Sequence, residues 1–162
     1  MNGVEFCEAS RTLGYNFYTG VPDSTLGSIF AVLENDQQYN YLLAPREDNA
    51  IGLAAGAYFG GLRPMVLMQN SGIGHCLTAL ASLASMYRIP LLLTIGWRGH
   101  DGSDAPEHRM LGNLLPALLR LMEIQFLAPE PADVHKSLIQ LSDLSCSRSA
   151  ITALLLRDKV VQ

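Results

Sequence analysis

The chain lacks any apolar run long enough for a membrane: the longest, residues 89–95, falls far short of the roughly 20 residues a spanning helix needs. No charged-then-apolar signal pattern opens it, so a cytoplasmic protein is expected. Cysteine is scarce. Cys7, Cys76 and Cys146 lie far apart with no CxxC pair, which argues against a disulfide framework or zinc site and leaves buried, reduced thiols as the expectation. The four histidines show neither HxH nor HxxxH spacing, so no metal ligands are assigned within the chain. Basic charge is sparse too: eleven Lys and Arg are scattered against fifteen Asp and Glu, a net charge of −4 that gives no footprint for nucleic acid. The dinucleotide pattern GxGxxG fails because position 77 is Leu, and a P-loop lysine is missing, so a Rossmann-like nucleotide binder is a minority reading.

What is present is a hydrophobic chain of 162 residues, enough for one filled core and too short for two ordinary domains. Residues 1–162 are therefore expected to form a single domain. Apolar spacing predicts helices over 3–14, 25–34, 47–60, 72–87, 110–122 and 132–144, with Pro116 a candidate kink. Strands are predicted at 16–19, 39–44, 64–69, 90–96, 125–128 and 150–156. Strands alternating with helices imply a three-layer α/β/α fold with a mostly parallel six-stranded sheet and right-handed crossovers. Such sheets bind ligands at the carboxyl ends of their strands. The segments after the first four strands (20–24, 45–48, 69–74 and 97–108) are also rich in glycine and polar groups, and the candidate site is placed there.

Glu47 follows a Pro45-Arg46 break at the start of an alanine- and glycine-rich helix. An acid there is favoured by the helix dipole, by about 0.3–1 kcal/mol, and taken alone needs no other role. Gly72 and Gly74 between a strand and a helix form at most a weak phosphate cradle. The loop 97–108 is dense in chemistry. Arg98, with Arg109 just beyond it, suits an anionic substrate through the planar guanidinium fork, and His100 and His108 suit proton transfer near neutral pH. A solvated surface loop is the competing reading.

Taken in order, GVPD at 20–23, REDNAIGLAAGAYFGG at 46–61, MQNSGIGH at 68–75, SLASMYRIPLLLTIGWRG at 82–99 and DAPEH at 104–108 resemble the phosphonopyruvate and sulfopyruvate decarboxylases, a group of thiamine diphosphate enzymes. The resemblance covers most of the chain and implies a pyrimidine-binding domain. It gives Glu47 the place of the carboxylate that hydrogen-bonds the cofactor's aminopyrimidine ring. It puts Val21, Pro22, Asn70, Ser71 and Gly72 beside that ring or the substrate. Asp23 becomes a proton-transfer candidate, although related decarboxylases carry their acid one residue later, where this chain has Ser24. Arg98, Arg109, Asn70 and His75 are the implied substrate contacts. His75 is a departure, since many relatives have Asn there, and a hydrogen-bonded structural His is an equal reading. These enzymes hold the diphosphate through Mg²⁺ bound by a GDG motif and a downstream Asn, and no GDG occurs here. The resemblance thus implies an alpha subunit whose beta partner supplies the diphosphate and Mg²⁺ site. It also implies a hetro-oligomeric decarboxylase of a small anionic 2-oxoacid that releases CO2 and an aldehyde. A noncatalytic or regulatory module of the same fold is the rival reading.

Overall fold

The computed structural model describes residues 1–102 and 104–161; Ser103, inside the predicted loop 97–108, and Gln162 at the end of the predicted domain lie outside the described residues. Its strands are β1 (Phe17–Gly20), β2 (Tyr41–Leu43), β3 (Pro64–Gln69), β4 (Leu91–Gly96), β5 (Gln125–Leu127) and β6 (Ile151–Leu156). They form one sheet in the order β2-β1-β3-β4-β6-β5, with every pairing parallel. Helices α1 (Gly3–Thr12), α2 (Gly27–Asn35), α3 (Glu47–Phe59), α4 (Ile73–Ala79), α5 (Pro106–Leu121) and α6 (Val134–Arg148) cover it.

Side chains alternate along each strand and divide the core in two. Met65 and Leu67 of β3, with Leu92 and Leu154, pack on Phe6 of α1, Ile29 and Leu33 of α2, and Leu138 of α6. Val66 and Met68, with Leu93, Ile95 and Leu155, face Ile51 and Ala54 of α3, Cys76 of α4, and Leu115 and Leu119 of α5. The apolar β4 is buried at all six residues, as a central parallel strand must be. No helix among the described residues is long and apolar enough to cross a membrane.

The differences from the predicted elements have local causes. The helix predicted over 110–122 starts one turn early because Pro106 sits near its N-terminus, where a missing N–H leaves no bond unmade. The segment 72–87 is a 3-10 turn (Asn70–Gly72), then α4, then a π-helical stretch (Leu80–Ser85). No glycine or proline between 76 and 87 signals those changes. The last helix runs past 144 to Arg148, and on that added turn Cys146 is exposed; only Cys7 and Cys76 are the buried free thiols predicted for all three.

Pro116 leaves α5 continuous. Lacking an N–H, it cannot bond the carbonyl of Gly112 four residues back. The indole Nε1–H of Trp97 donates to that carbonyl instead, at 2.8 Å. The proline thus frees an acceptor that ties the loop after β4 to α5.

Candidate active site

β1 and β3 are neighbours, but the chain leaves β1 toward α2 on one face and β3 toward α4 on the other. Their carboxyl ends therefore open into a crevice at the switch in strand order. Glu47, the first residue of α3, reaches one side of it. Arg46 before it is extended, and the helix begins at Glu47 with its backbone N–H groups exposed to the carboxylate's field.

The carboxylate folds onto the turn after β3. A Cβ added to Gly72 would stand 2.3–2.6 Å from Glu47 Cγ, Cδ and Oε1, so only glycine lets the acid lie there. His75 Nδ1 is 3.1 Å from Glu47 Oε2. The Glu47 side chain is 15% exposed and that of His75 59%. Behind them the Cys76 thiol is buried, and burial first, then the charges of Glu47 and Asp48, push it up to about 12, which keeps it a neutral packing group. Of the two glycines that suggested a phosphate cradle, Gly72 already carries a carboxylate.

Asn70 is 1% exposed, and its amide clasps the backbone of Arg98: Nδ2 donates to the Arg98 carbonyl at 3.1 Å and Oδ1 accepts the Arg98 N–H at 3.2 Å. The Arg98 guanidinium forms a fork with Asp104, Nε to Oδ2 at 2.9 Å and Nη2 to Oδ1 at 2.8 Å. Asp104 also accepts from the N–H groups of Gly99 and Ala105. The Arg98 bonds foremost hold the Asp104 carboxyl far below its ordinary range, and Asp104 in turn raises Arg98. Arg109 is exposed and donates through Nε to the Asp104 carbonyl. His108, half-buried in the first turn of α5, lies within the field of Asp104. The His100 ring packs tilted against Trp97, with centroids 5.3 Å apart, and its Nε2 is 3.9 Å from Asp101.

Asp23 is buried at 7% exposure. Its Oδ2 accepts the Thr25 N–H at 3.1 Å and lies against Gly96, where an added Cβ would come within 2.0 Å of it. Oδ1 is buried with no hydrogen-bond partner among the described residues. Burial raises this carboxyl's pKa against the opposing pull of the Thr25 hydrogen bonds and the Arg98 charge. Burial thus favours the protonated form of Asp23. Pro22 beside it is exposed, Val21 packs partly on the core, and Ser71 accepts from Gln69 Nε2 at 2.7 Å.

Residues 5–118 match the family described as "Thiamine pyrophosphate enzyme, N-terminal TPP binding domain". The chain belongs to that family. Over 147 residues it is 34% identical to the sulfopyruvate decarboxylase subunit alpha of Methanothermobacter thermautotrophicus, covering 90% of this chain and 89% of that protein. It is 35% identical over 123 residues to the phosphonopyruvate decarboxylase of Streptomyces viridochromogenes, 75% of this chain and 31% of that protein. The solved benzoylformate decarboxylase of Polynucleobacter necessarius superposes with a TM-score of 0.73 at 17% identity, over 96% of this chain and 30% of that chain, which is a likeness of fold. The chain thus spans about a third of the length of these last two proteins.

Within this thiamine pyrophosphate fold six of the residues singled out from sequence form two linked groups, to which Val21, Pro22, Asp23, Ser71, His108 and Arg109 do not belong. Glu47 lies against Gly72 and pairs with His75 between α3 and α4. Arg98 and His100 line a separate cavity of about 640 Å³, together with Ser24, Thr25, Arg157 and Lys159. Asn70 joins the groups, its backbone in the turn under Glu47 and its side chain on Arg98. Arg157 and Lys159 were missed, although they follow the carboxyl end of β6 and the rule applied to the first four strands points to them as well. Among the described residues no three His, Cys, Asp or Glu side chains gather as a metal site.

Proposed function

We propose that the chain is a single pyrimidine-binding domain, the alpha subunit of a cytoplasmic, hetero-oligomeric thiamine diphosphate-dependent decarboxylase of sulfopyruvate or phosphonopyruvate. A beta subunit would hold the diphosphate and Mg²⁺. The observation that carries this reading is the Glu47 carboxylate, kept at the start of α3 against the bare Cα of Gly72 with one hydrogen bond among the described residues, from His75. That leaves acceptor capacity for a ring nitrogen, since a carboxylate offers about four lone-pair sites. The alpha-subunit relative, matched along nearly its full length, supports the split arrangement, and so does the lack of a GDG motif. Three free cysteines, one of them exposed, fit a reducing compartment.

When bound, thiamine diphosphate supplies the electron sink for losing CO2 from a 2-oxoacid. Glu47 would hold the proton at the pyrimidine ring nitrogen. Asp23, whose burial favours its neutral form, would give the proton that replaces the departing carboxylate and so release the aldehyde. Arg98, fixed by Asp104 and Asn70, would present positive charge to the sulfonate or phosphonate end.

The partner's place is supported by the outer face of α3. Gly52, Gly56 and Gly60 are exposed at four-residue spacing. Beside the first two runs an apolar groove of about 680 Å³ lined by Phe17, Leu42, Pro45, Leu53 and Leu62. Phe59, Met86 and Tyr87 are exposed nearby, with the Phe59 and Tyr87 rings 5.7 Å apart. Contiguous exposed apolar surface of this kind marks an interaction face.

The test is CO2 release from both oxoacids by the chain assembled with a beta subunit, thiamine diphosphate and Mg²⁺. Glu47→Gln should lower kcat by about 10²–10⁴-fold with the far-ultraviolet circular dichroism unchanged. Turnover near that of the wild type would overturn the reading.

A further inference from the structure

We propose that His75 is a positioning residue for Glu47: its Nδ1–H holds Oε2, so that the carboxylate keeps one orientation and turns its remaining acceptor capacity to the cofactor ring. This rests on the function proposed above. An ionised carboxylate only accepts hydrogen bonds, so at 3.1 Å the proton between the two groups belongs to the imidazole nitrogen. The neutral ring is then fixed in its Nδ1–H form and Nε2 is left bare.

The turn and α4 supply both halves of the device. Gly72 gives the bare Cα on which the acid rests, and His75 lies three residues on, close to the same side of the helix. No second hydrogen bond to the Glu47 carboxylate occurs among the described residues. The other groups around the pair are committed: Arg46 is paired with Asp48, and the Cys76 thiol is buried and held neutral. A glutamate side chain is long and flexible, and without the imidazole its head would sample positions from which the ring nitrogen is missed.

Nitrogen-15 NMR of the imidazole-labelled chain alone reads the tautomer without cofactor or partner. At alkaline pH the wild-type chain should show His75 protonated at Nδ1, and Glu47→Ala should move it toward the Nε2–H form. A tautomer indifferent to Glu47→Ala overturns the proposal. In the assembled enzyme, His75→Leu should lower kcat by about 10–100-fold with little change in KM, the range typical when a residue orienting a reactive group is lost. His75→Asn places an amide N–H where Nδ1 stands and should restore most of the turnover. His75→Gln places it where Nε2 stands and should not. Equal losses in Asn and Leu variants, or no loss in the Leu variant, also overturn it. If Glu47→Gln itself proves harmless, the function proposed above fails; if Glu47→Gln is inactive while the His75 variants are silent, only the positioning role fails.

Discussion

Asp23 is a carboxyl that the fold buries without fully pairing, and that combination has a thermodynamic signature. Its folded-state pKa lies above the ordinary value of 3.8, with burial the leading cause. Between 3.8 and that raised value the folded chain binds more protons than the unfolded one, so stability falls as pH rises through this window and levels off above it. Asp23→Asn keeps an oxygen for the Thr25 N–H and removes the charge. Its Tm should exceed that of the wild type at neutral pH, and the difference should vanish below 3.8. CO2 release should drop by about a hundredfold or more if Asp23 supplies the product's proton. A variant with wild-type Tm across the range would show that burial does not penalise this carboxylate. Glu47 stood out in the sequence because a break, an acid and a small-residue helix follow one another. Asn70 did not reveal its part: that its amide is spent on the Arg98 backbone depends on β3 and β4 ending side by side.

Elements were readable where one physical signal decided them and less so where two competed. The apolar runs of β3 and β4 and the acidic start of α3 follow from local pattern. The early start of α5 did not, because its first turn, Pro106 to Arg109, holds a proline and three polar or charged residues and reads as loop. Nor did the pairing of Trp97 with the carbonyl that Pro116 frees. That pairing predicts a coupling between two elements. Trp97→Phe leaves the buried Gly112 carbonyl without a donor and should cost about 1–3 kcal/mol. In a Pro116→Ala background the new N–H at 116 can take the carbonyl, so the same substitution should cost about 1 kcal/mol less. Because Trp97 is the single tryptophan, unfolding should be followed by circular dichroism. Additive effects would mean that the indole bond contributes nothing to holding the loop on α5.

The whole molecule is a fully parallel sheet with two covered faces and two edges, β2 and β5, each three residues long. That class of fold could be read from the alternation of elements, but the strand order could not, because it is set by which helix packs on which face after the chain collapses. The same holds for the two-group site: sequence placed its residues at strand ends without saying that Arg98 and His100 line a cavity that Glu47 does not. The α3 surface ties this architecture to assembly. At Gly56 an added Cβ would meet nothing within 4 Å, so the isolated chain has room for a larger side chain there. Gly56→Leu should therefore leave its Tm unchanged or raise it, since glycine within a helix costs about 0.5–1 kcal/mol relative to alanine. If the beta subunit packs closely on this helix, the added leucine overfills the contact, at about 1–3 kcal/mol. Each 1.4 kcal/mol is tenfold in Kd, so sedimentation or calorimetry should find binding weakened by about tenfold or more. Undiminished binding by a well-folded Gly56→Leu chain would remove this face of α3 from the interface.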